Sequence, residues 1–169
     1  GNWTRAATGV FTHNSGTVSF GGSGVSTAFG STVFFNLQCA QQGKTLVFQT
    51  LTTQRVEGAV AFQGAAGNPV VLRSSASGSK WSVAFPNGPQ NATYVDVRDS
   101  DALLNPVLVA GGMNSGNNNT NWVFLSDRYW VGGTGNWSDT AHWALFSGGA
   151  GGASVPGVTN VARFSSASG

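Results

Sequence analysis

Apolar and polar residues alternate with a period of two through most of the chain, in short runs that follow one another with hardly a break. The runs span Thr17 to Phe20, Val33 to Cys39, Lys44 to Gln49, Gln54 to Gln63, Pro69 to Arg73, Lys80 to Phe85, Thr93 to Val97, Pro106 to Ala110 and Trp122 to Leu125. Each is rich in Val, Phe and Leu, as strands with one buried face require. Between them stand turn formers: Gly21-Gly22-Ser23-Gly24, Gln42-Gly43, the Gly64 to Pro69 stretch, Ser77-Gly78-Ser79 and Pro86-Asn87-Gly88-Pro89. No stretch of ten residues carries a 3.6-residue apolar period, and Ala-rich stretches are interrupted by Gly or Ser. The pattern predicts an all-β protein.

Short strands at this spacing fit a sandwich, an antiparallel barrel or a β-solenoid, and three details favour the solenoid. Asn87-Gly88 is the only Asn-Gly dipeptide of the hairpin type, and proline flanks it on both sides. The strands Thr45 to Phe48, Ala59 to Phe62, Val70 to Leu72 and Ser82 to Phe85 match in length, as stacked rungs must. A solenoid can also continue indefinitely, which suits a chain that opens on Gly rather than Met and whose ends read as cuts. The expected fold is a right-handed parallel β-helix of five or six rungs, with a β-sandwich as the alternative.

One phrase occurs twice, as Gly1-Asn2-Trp3-Thr4 and as Gly135-Asn136-Trp137-Ser138. The second copy follows a seam near Ser126, beyond which lie the Tyr129 to Trp143 aromatics and the small-residue stretch Ser147 to Ser154. This divides the chain into a solenoid segment, 1–126, and a Trp/Gly-rich junction, 127–169, whose Val155 to Phe164 tail reads as the first strand of a following module.

Composition narrows the functional classes. Charged residues are only 8% against a typical ~25%, while 40% apolar residues, with eleven Phe and six Trp, argue for order. Solubility must come from Ser, Thr, Asn, Gln and Gly. The eight basic and six acidic residues are scattered singly, so the net charge of +2 describes no basic face and no nucleic-acid partner. No apolar run approaches the ~18 residues of a membrane span, so no membrane insertion is expected. The one cysteine, Cys39, shares a face with Phe35 and Leu37 and reads as a buried filler.

The phrases Gly43-Lys44-Thr45-Leu46-Val47-Phe48, Val70 to Ser75, Tyr94 to Ala102 and Asn118 to Phe124 resemble right-handed parallel β-helix repeats of large secreted bacterial surface proteins, the adhesin-like and autotransporter-passenger-like class. The Trp130 to Trp143 phrase resembles a boundary element between successive modules of such proteins. The resemblance implies an extracellular or cell-surface, structural and adhesive unit whose partners are copies of itself, with surface glycans as possible ligands. Because β-helix lyases share that fold, a carbohydrate-binding or polysaccharide-cleaving module is the alternative function.

Candidate chemistry is sparse. The only acidic cluster is Asp96, Asp99 and Asp101 around Arg98: a weak calcium site, or an exposed turn whose carboxylates cap backbone amides. His13 and His142 have no metal-ligand spacing around them, and Glu57 is the sole glutamate, so no catalytic set is assigned and no cofactor is expected beyond possible calcium. Trp130, Trp137, Trp143 and Tyr129 are either a sugar-stacking platform or a plug sealing a module end, with His142 packed against the Trp pair. If they are a plug, Trp3 is the matching element of a preceding module, and Trp3, Val161 and Phe164 are the expected self-association residues. Sequons occur at Asn2, Asn91, Asn118 and Asn136. Asn68 and the Asn117 to Asn119 run are candidates for side-chain amide ladders along a stack.

Overall fold

The computed structural model describes residues 1–168. The chain is all-β, with mostly parallel strands in several sheets, and divides into two compact units, Gly1–Phe124 and Leu125–Gly169.

In the first unit the chain lays down strands in repeated passes. The first pass gives β1 (Trp3–Thr4) and β2 (Thr17–Ser19). The second gives β3 (Val25–Phe29), β4 (Val33–Phe34) and β5 (Asn36–Cys39), and the third β6 (Thr45–Phe48), β7 (Thr53–Val56) and β8 (Val60–Phe62). The fourth contributes β9 (Val70–Ser74), β10 (Trp81–Ala84) and β11 (Gln90–Thr93). The fifth contributes β12 (Val95–Val97), β13 (Ser100–Leu103) and β14 (Val107–Ala110), and the last β15 (Met113–Asn114), β16 (Asn119–Thr120) and the start of β17 (Trp122–Trp130).

Strands from successive passes pair side by side. One sheet runs β1-β3-β6-β9-β12-β15, a second β4-β7-β10-β13-β16, and a third face is formed by β2-β5-β8 and by β11-β14. A parallel bridge between Gln63 and Thr93 joins the two parts of that face. The pairings described between β1 and β16 are all parallel. The antiparallel pairing of consecutive strands that a sandwich would show is not found there, and the arrangement is compatible with a β-helix. The passes are unequal. Along the first sheet the register runs Val25–Thr45–Val71–Asp96–Met113, steps of 20, 26, 25 and 17 residues.

The register stacks like on like. Leu46 pairs with Leu72 and Leu72 with Val97, and Val70 with Val95, all fully buried. On another face Leu37 lies beside Val60 and Cys39 beside Phe62. Phe48 and Trp81 stack with ring centroids 3.8 Å apart and both are fully buried. Trp122 meets Trp81 edge-on at 6.4 Å and donates its indole N–H to the Ser100 hydroxyl at 3.0 Å. Such dry apolar columns contribute about 25 cal/mol per Å² removed from water, which in a chain this poor in ion pairs is the main stabilising term.

The continuous runs predicted from alternation break at corners. The Val33 to Cys39 run is β4 and β5, the Gln54 to Gln63 run is β7 and β8, and at the Thr93 to Val97 run β11 ends and β12 begins. At several corners one non-glycine residue takes a left-handed conformation: Leu51 (φ 57°), Tyr94 (φ 48°), Asp99 (φ 56°), Leu104 (φ 71°) and Asn121 (φ 58°). One such residue swings the chain from one sheet to the next, as Tyr94 does inside the Thr93 to Val97 run.

The second unit is built on the Ser126 to Trp130 part of β17. Antiparallel to it lies β18 (Trp143–Ala144), in register Tyr129–Ala144 and Trp130–Trp143. Parallel to it lies β19 (Asn160–Arg163), which pairs Ser126 with Asn160 through Tyr129 with Arg163. The expected tail strand therefore begins at Asn160 rather than Val155, and it folds back onto its own unit.

Candidate functional site

The acidic cluster disperses. Asp96, in β12, is largely buried and forms an ion pair with Arg73, Oδ2 to Nη2 at 2.6 Å, while Arg73 Nη1 donates to the Asp96 carbonyl at 2.7 Å. Asp99, at a left-handed corner, is also buried. It accepts the Gly78 N–H at 2.9 Å and the Asn118 amide at 2.8 Å. Burial alone would raise the Asp99 carboxyl; the Asn118 amide, the Gly78 N–H and the nearby Arg98 and Arg73 outweigh it and hold the group below the ordinary value. Asp101 lies in β13, in register with Ser82 and Thr120. Among the described residues no three His, Cys, Asp or Glu side chains are grouped to hold a metal ion. Asp96 and Asp99 thus take different partners, and of the two readings of Asp96, Asp99 and Asp101, a calcium site or amide-capping carboxylates, the capping one describes Asp99.

The asparagine run stitches passes together, though not as a ladder of like amides. Asn119 donates to the Val97 carbonyl at 2.8 Å and accepts the Ser100 N–H at 3.0 Å, and Asn121 donates to the Ala102 carbonyl at 2.9 Å. Asn36 does the same earlier, its Oδ1 accepting the Ala59 N–H at 2.9 Å. These amides complete backbone groups left open where strands end.

The aromatics of the second unit form one cluster. Trp143 is fully buried and meets Trp130 at 5.0 Å and Trp137 at 4.7 Å, both edge-on, and Phe164 at 6.2 Å. Trp130 stacks on the His142 ring at 4.8 Å and lies 5.9 Å from Phe164. The Trp143 N–H donates to the Trp137 carbonyl at 2.8 Å and the Trp130 N–H to the Gly133 carbonyl at 2.6 Å. His142 Nδ1 lies 2.9 Å from the Val131 carbonyl, which fixes that nitrogen as the protonated one. Tyr129 donates its hydroxyl to Asp127 at 3.1 Å, and Asp127 also pairs with Arg163. Trp130 and Trp143 thus spend their faces and polar ends inside the unit, as packing groups. Trp137, Phe146 and Phe164 remain half exposed or more.

The doubled phrase takes two different structures. Trp137 sits in a turn, and Gly135 is needed as glycine because the His142 ring edge occupies the place of its Cβ, 2.2 Å away. Trp3 lies in β1, in register with Ala28. It packs on Phe11 at 4.8 Å and Phe34 at 5.3 Å and donates to Thr32 Oγ1 at 3.1 Å. Trp3 is therefore a strand residue covering the start of the first unit's core, not a second copy of the Trp137 element. Val161 is half-buried in β19, opposite Asp127. Of the three expected self-association residues, Phe164 is the exposed one.

Sequence reasoning missed the role of Phe11, the third member of the Trp3–Phe34 group, and a polar relay beside it. His13 Nε2 lies 3.3 Å from Glu57 Oε2, and Glu57 Oε1 accepts from Arg55 Nε at 3.0 Å. Because His13 Nδ1 accepts the Ser15 N–H at 3.0 Å, Nε2 is the nitrogen that donates to Glu57. These residues are 44 positions apart in the chain, and no local signal joins them. Cys39 is buried, and burial pushes its thiol up against the smaller opposing pull of Gln41 and Lys44.

No family model matches the chain, and neither does any curated protein or solved structure. No helix is long and apolar enough to cross a membrane among the described residues.

Proposed function

We propose that the chain is a right-handed parallel β-helix unit of an extracellular, adhesin-like surface protein, structural rather than catalytic, that associates head-to-tail with further units. The observation that carries this reading is the open stack. The first sheet begins at β1 and finishes at β15, the second begins at β4 and finishes at β16, and the third face begins at β2. Each terminal strand has a neighbour on one side only among the described residues, and an unpaired strand edge is a template for another strand. The edges are short, two residues in β1, β4, β15 and β16, so each offers few backbone hydrogen bonds and a head-to-tail joint gains strength as more of them engage. The exposed Phe164, beside Trp130 and Trp143, supplies an apolar contact at the other end of the chain.

The carbohydrate alternative draws less support. A stacking platform needs open aromatic faces, and of Trp130, Trp137 and Trp143 only Trp137 offers one.

Sedimentation velocity across a wide concentration range, with negative-stain microscopy of the concentrated sample, tests the proposal. Concentration-dependent rods that shorten in Phe164→Ser support it. A monodisperse monomer at every concentration refutes it.

A further inference from the structure

The second sheet lacks a strand that its neighbours possess. The first pass places β1 in the first sheet and β2 on the third face, but the second sheet starts only at β4. Beside β4 lies a groove of about 380 Å³, lined by Arg5, Val10 and Phe11 of the first pass, by Ser31, Thr32 and Val33, and by Thr53 and Arg55 of β7.

Backbone geometry makes this groove a hydrogen-bonding surface. β4 pairs in parallel with β7, Val33 opposite Arg55 and Phe34 opposite Val56. The Thr32 and Phe34 carbonyls accept the Arg55 and Glu57 N–H groups at 2.8 and 3.0 Å. In a parallel ladder alternate residues point their N–H and C=O to opposite sides. Val33 therefore directs both groups away from β7, and it also lines the groove. Phe11, packed on Trp3 and Phe34, closes the core beneath, so the place is open to a backbone and not to a large inward side chain.

Charge selects the occupant. Arg5 is anchored by its backbone, its N–H donating to the Phe29 carbonyl at 2.9 Å, and its guanidinium reaches the Ser31 carbonyl. Gly30 (φ 78°) makes that approach possible, since a Cβ there would lie 2.0 Å from the Arg5 carbonyl oxygen. Arg5 has no carboxylate partner among the described residues. Arg55 shares Glu57 with His13, and no acidic side chain lines the groove. A guanidinium at an open strand edge is matched by a carboxylate on an added strand.

We propose that this groove is a strand-acceptor site for an extended acidic segment of a partner polypeptide, which pairs its backbone with Val33 and sets a carboxylate against Arg5. The site does not depend on self-association and is tested where the chain is monomeric.

The probe is a fluorescein-labelled Ser-Val-Asp-Val-Ser peptide, titrated by fluorescence anisotropy. Its N-methylated and Asp-to-Asn analogues and unlabelled trigalacturonate are run beside it. The Asn analogue and Arg5→Gln are each expected to weaken binding by about tenfold, since a hydrogen bond to a charged group carries roughly that factor, and backbone N-methylation, which removes a neutral hydrogen bond, by about fivefold. Arg163→Gln, in the other unit, should leave it unchanged. Unaltered thermal unfolding of Arg5→Gln, with Arg55→Gln as a second variant, separates lost binding from lost folding. Three results would each overturn the proposal: no peptide binding at millimolar concentration, equal binding of the N-methylated peptide, or Arg5-dependent binding of trigalacturonate in place of the peptide.

Discussion

Leu51 and Leu104 are exposed apolar residues held in a left-handed conformation, at φ 57° and 71° with 87% and 68% of their surface open to solvent. A side chain with a Cβ costs about 1–2 kcal/mol in that region, and neither leucine recovers this by burial. Asparagine tolerates the conformation better, so Leu51→Asn and Leu104→Asn are each expected to stabilise the fold by about 0.5–1 kcal/mol. The backbone bond from Leu51 N–H to the Lys80 carbonyl at 2.9 Å is untouched by the change. Glycine would relieve the strain fully but enlarge the unfolded ensemble, leaving a net gain near zero. The reciprocal change provides the control. Asn121 occupies the same conformation and donates to the Ala102 carbonyl at 2.9 Å, so Asn121→Leu gives up a hydrogen bond of about 1 kcal/mol and takes on the strain, about 2 kcal/mol in all. Urea unfolding followed by circular dichroism reads these as midpoint shifts at constant slope. If both asparagine variants shift the midpoint down, or if Asn121→Leu leaves it in place, the single-residue corner is the wrong description of how the chain changes sheets.

Three further outcomes follow from the geometry. The carboxyls of Glu57, through its Arg55 hydrogen bond against a smaller effect of burial, and of Asp99, despite its burial, are held below their ordinary values. A lowered folded-state value means stability that is fully present above the unfolded-state value and lost as pH falls through the folded one, so unfolding midpoints should drop below about pH 4, and Asp99→Asn should be less stable at neutral pH with a flatter acid limb. Cys39, buried with its thiol raised, should react with a thiol reagent no faster than the chain unfolds, and rapid labelling of the native protein would contradict its place in the core. Trp143→Ala empties the centre of the aromatic cluster at a cost of about 3–5 kcal/mol. Hydrogen exchange should quicken at Tyr129, Trp130 and Ala144, while the Leu46–Leu72–Val97 column stays protected; unchanged exchange around Trp130 would show that the cluster does not hold its unit.

Alternation made the strand content legible because many strands alternate buried with more exposed positions, and Leu46, Phe48, Val83, Val95 and Val97 are dry where period two puts them. Parallel pairing was legible only indirectly, from the scarcity of hairpin dipeptides. The corners were hidden: left-handed Tyr94 and Leu104 look like any other strand residues, and nothing in Thr93-Tyr94-Val95 separates β11 from β12. Val25–Phe29 and Ser100–Leu103 were missed because Ser, Thr and Asp fill several of their positions and dilute the apolar signal. The candidate sites divided in the same way. Proximity along the chain found the Trp130 to Trp143 cluster, whereas the Arg5 and Arg55 groove needs residues fifty positions apart to meet. It also grouped Asp96, Asp99 and Asp101, of which Asp96 and Asp99 take different partners.

Unequal passes that meet strand against strand have a mechanical consequence. Tension along the stacking direction would load the hydrogen bonds of one outermost strand at a time, as in a zipper, rather than shearing a whole sheet at once. The first unit should then yield at low force and in steps, each releasing the 17 to 26 residues that separate paired positions in the first sheet. A chain built this way lengthens gradually under load and gives up its innermost columns last.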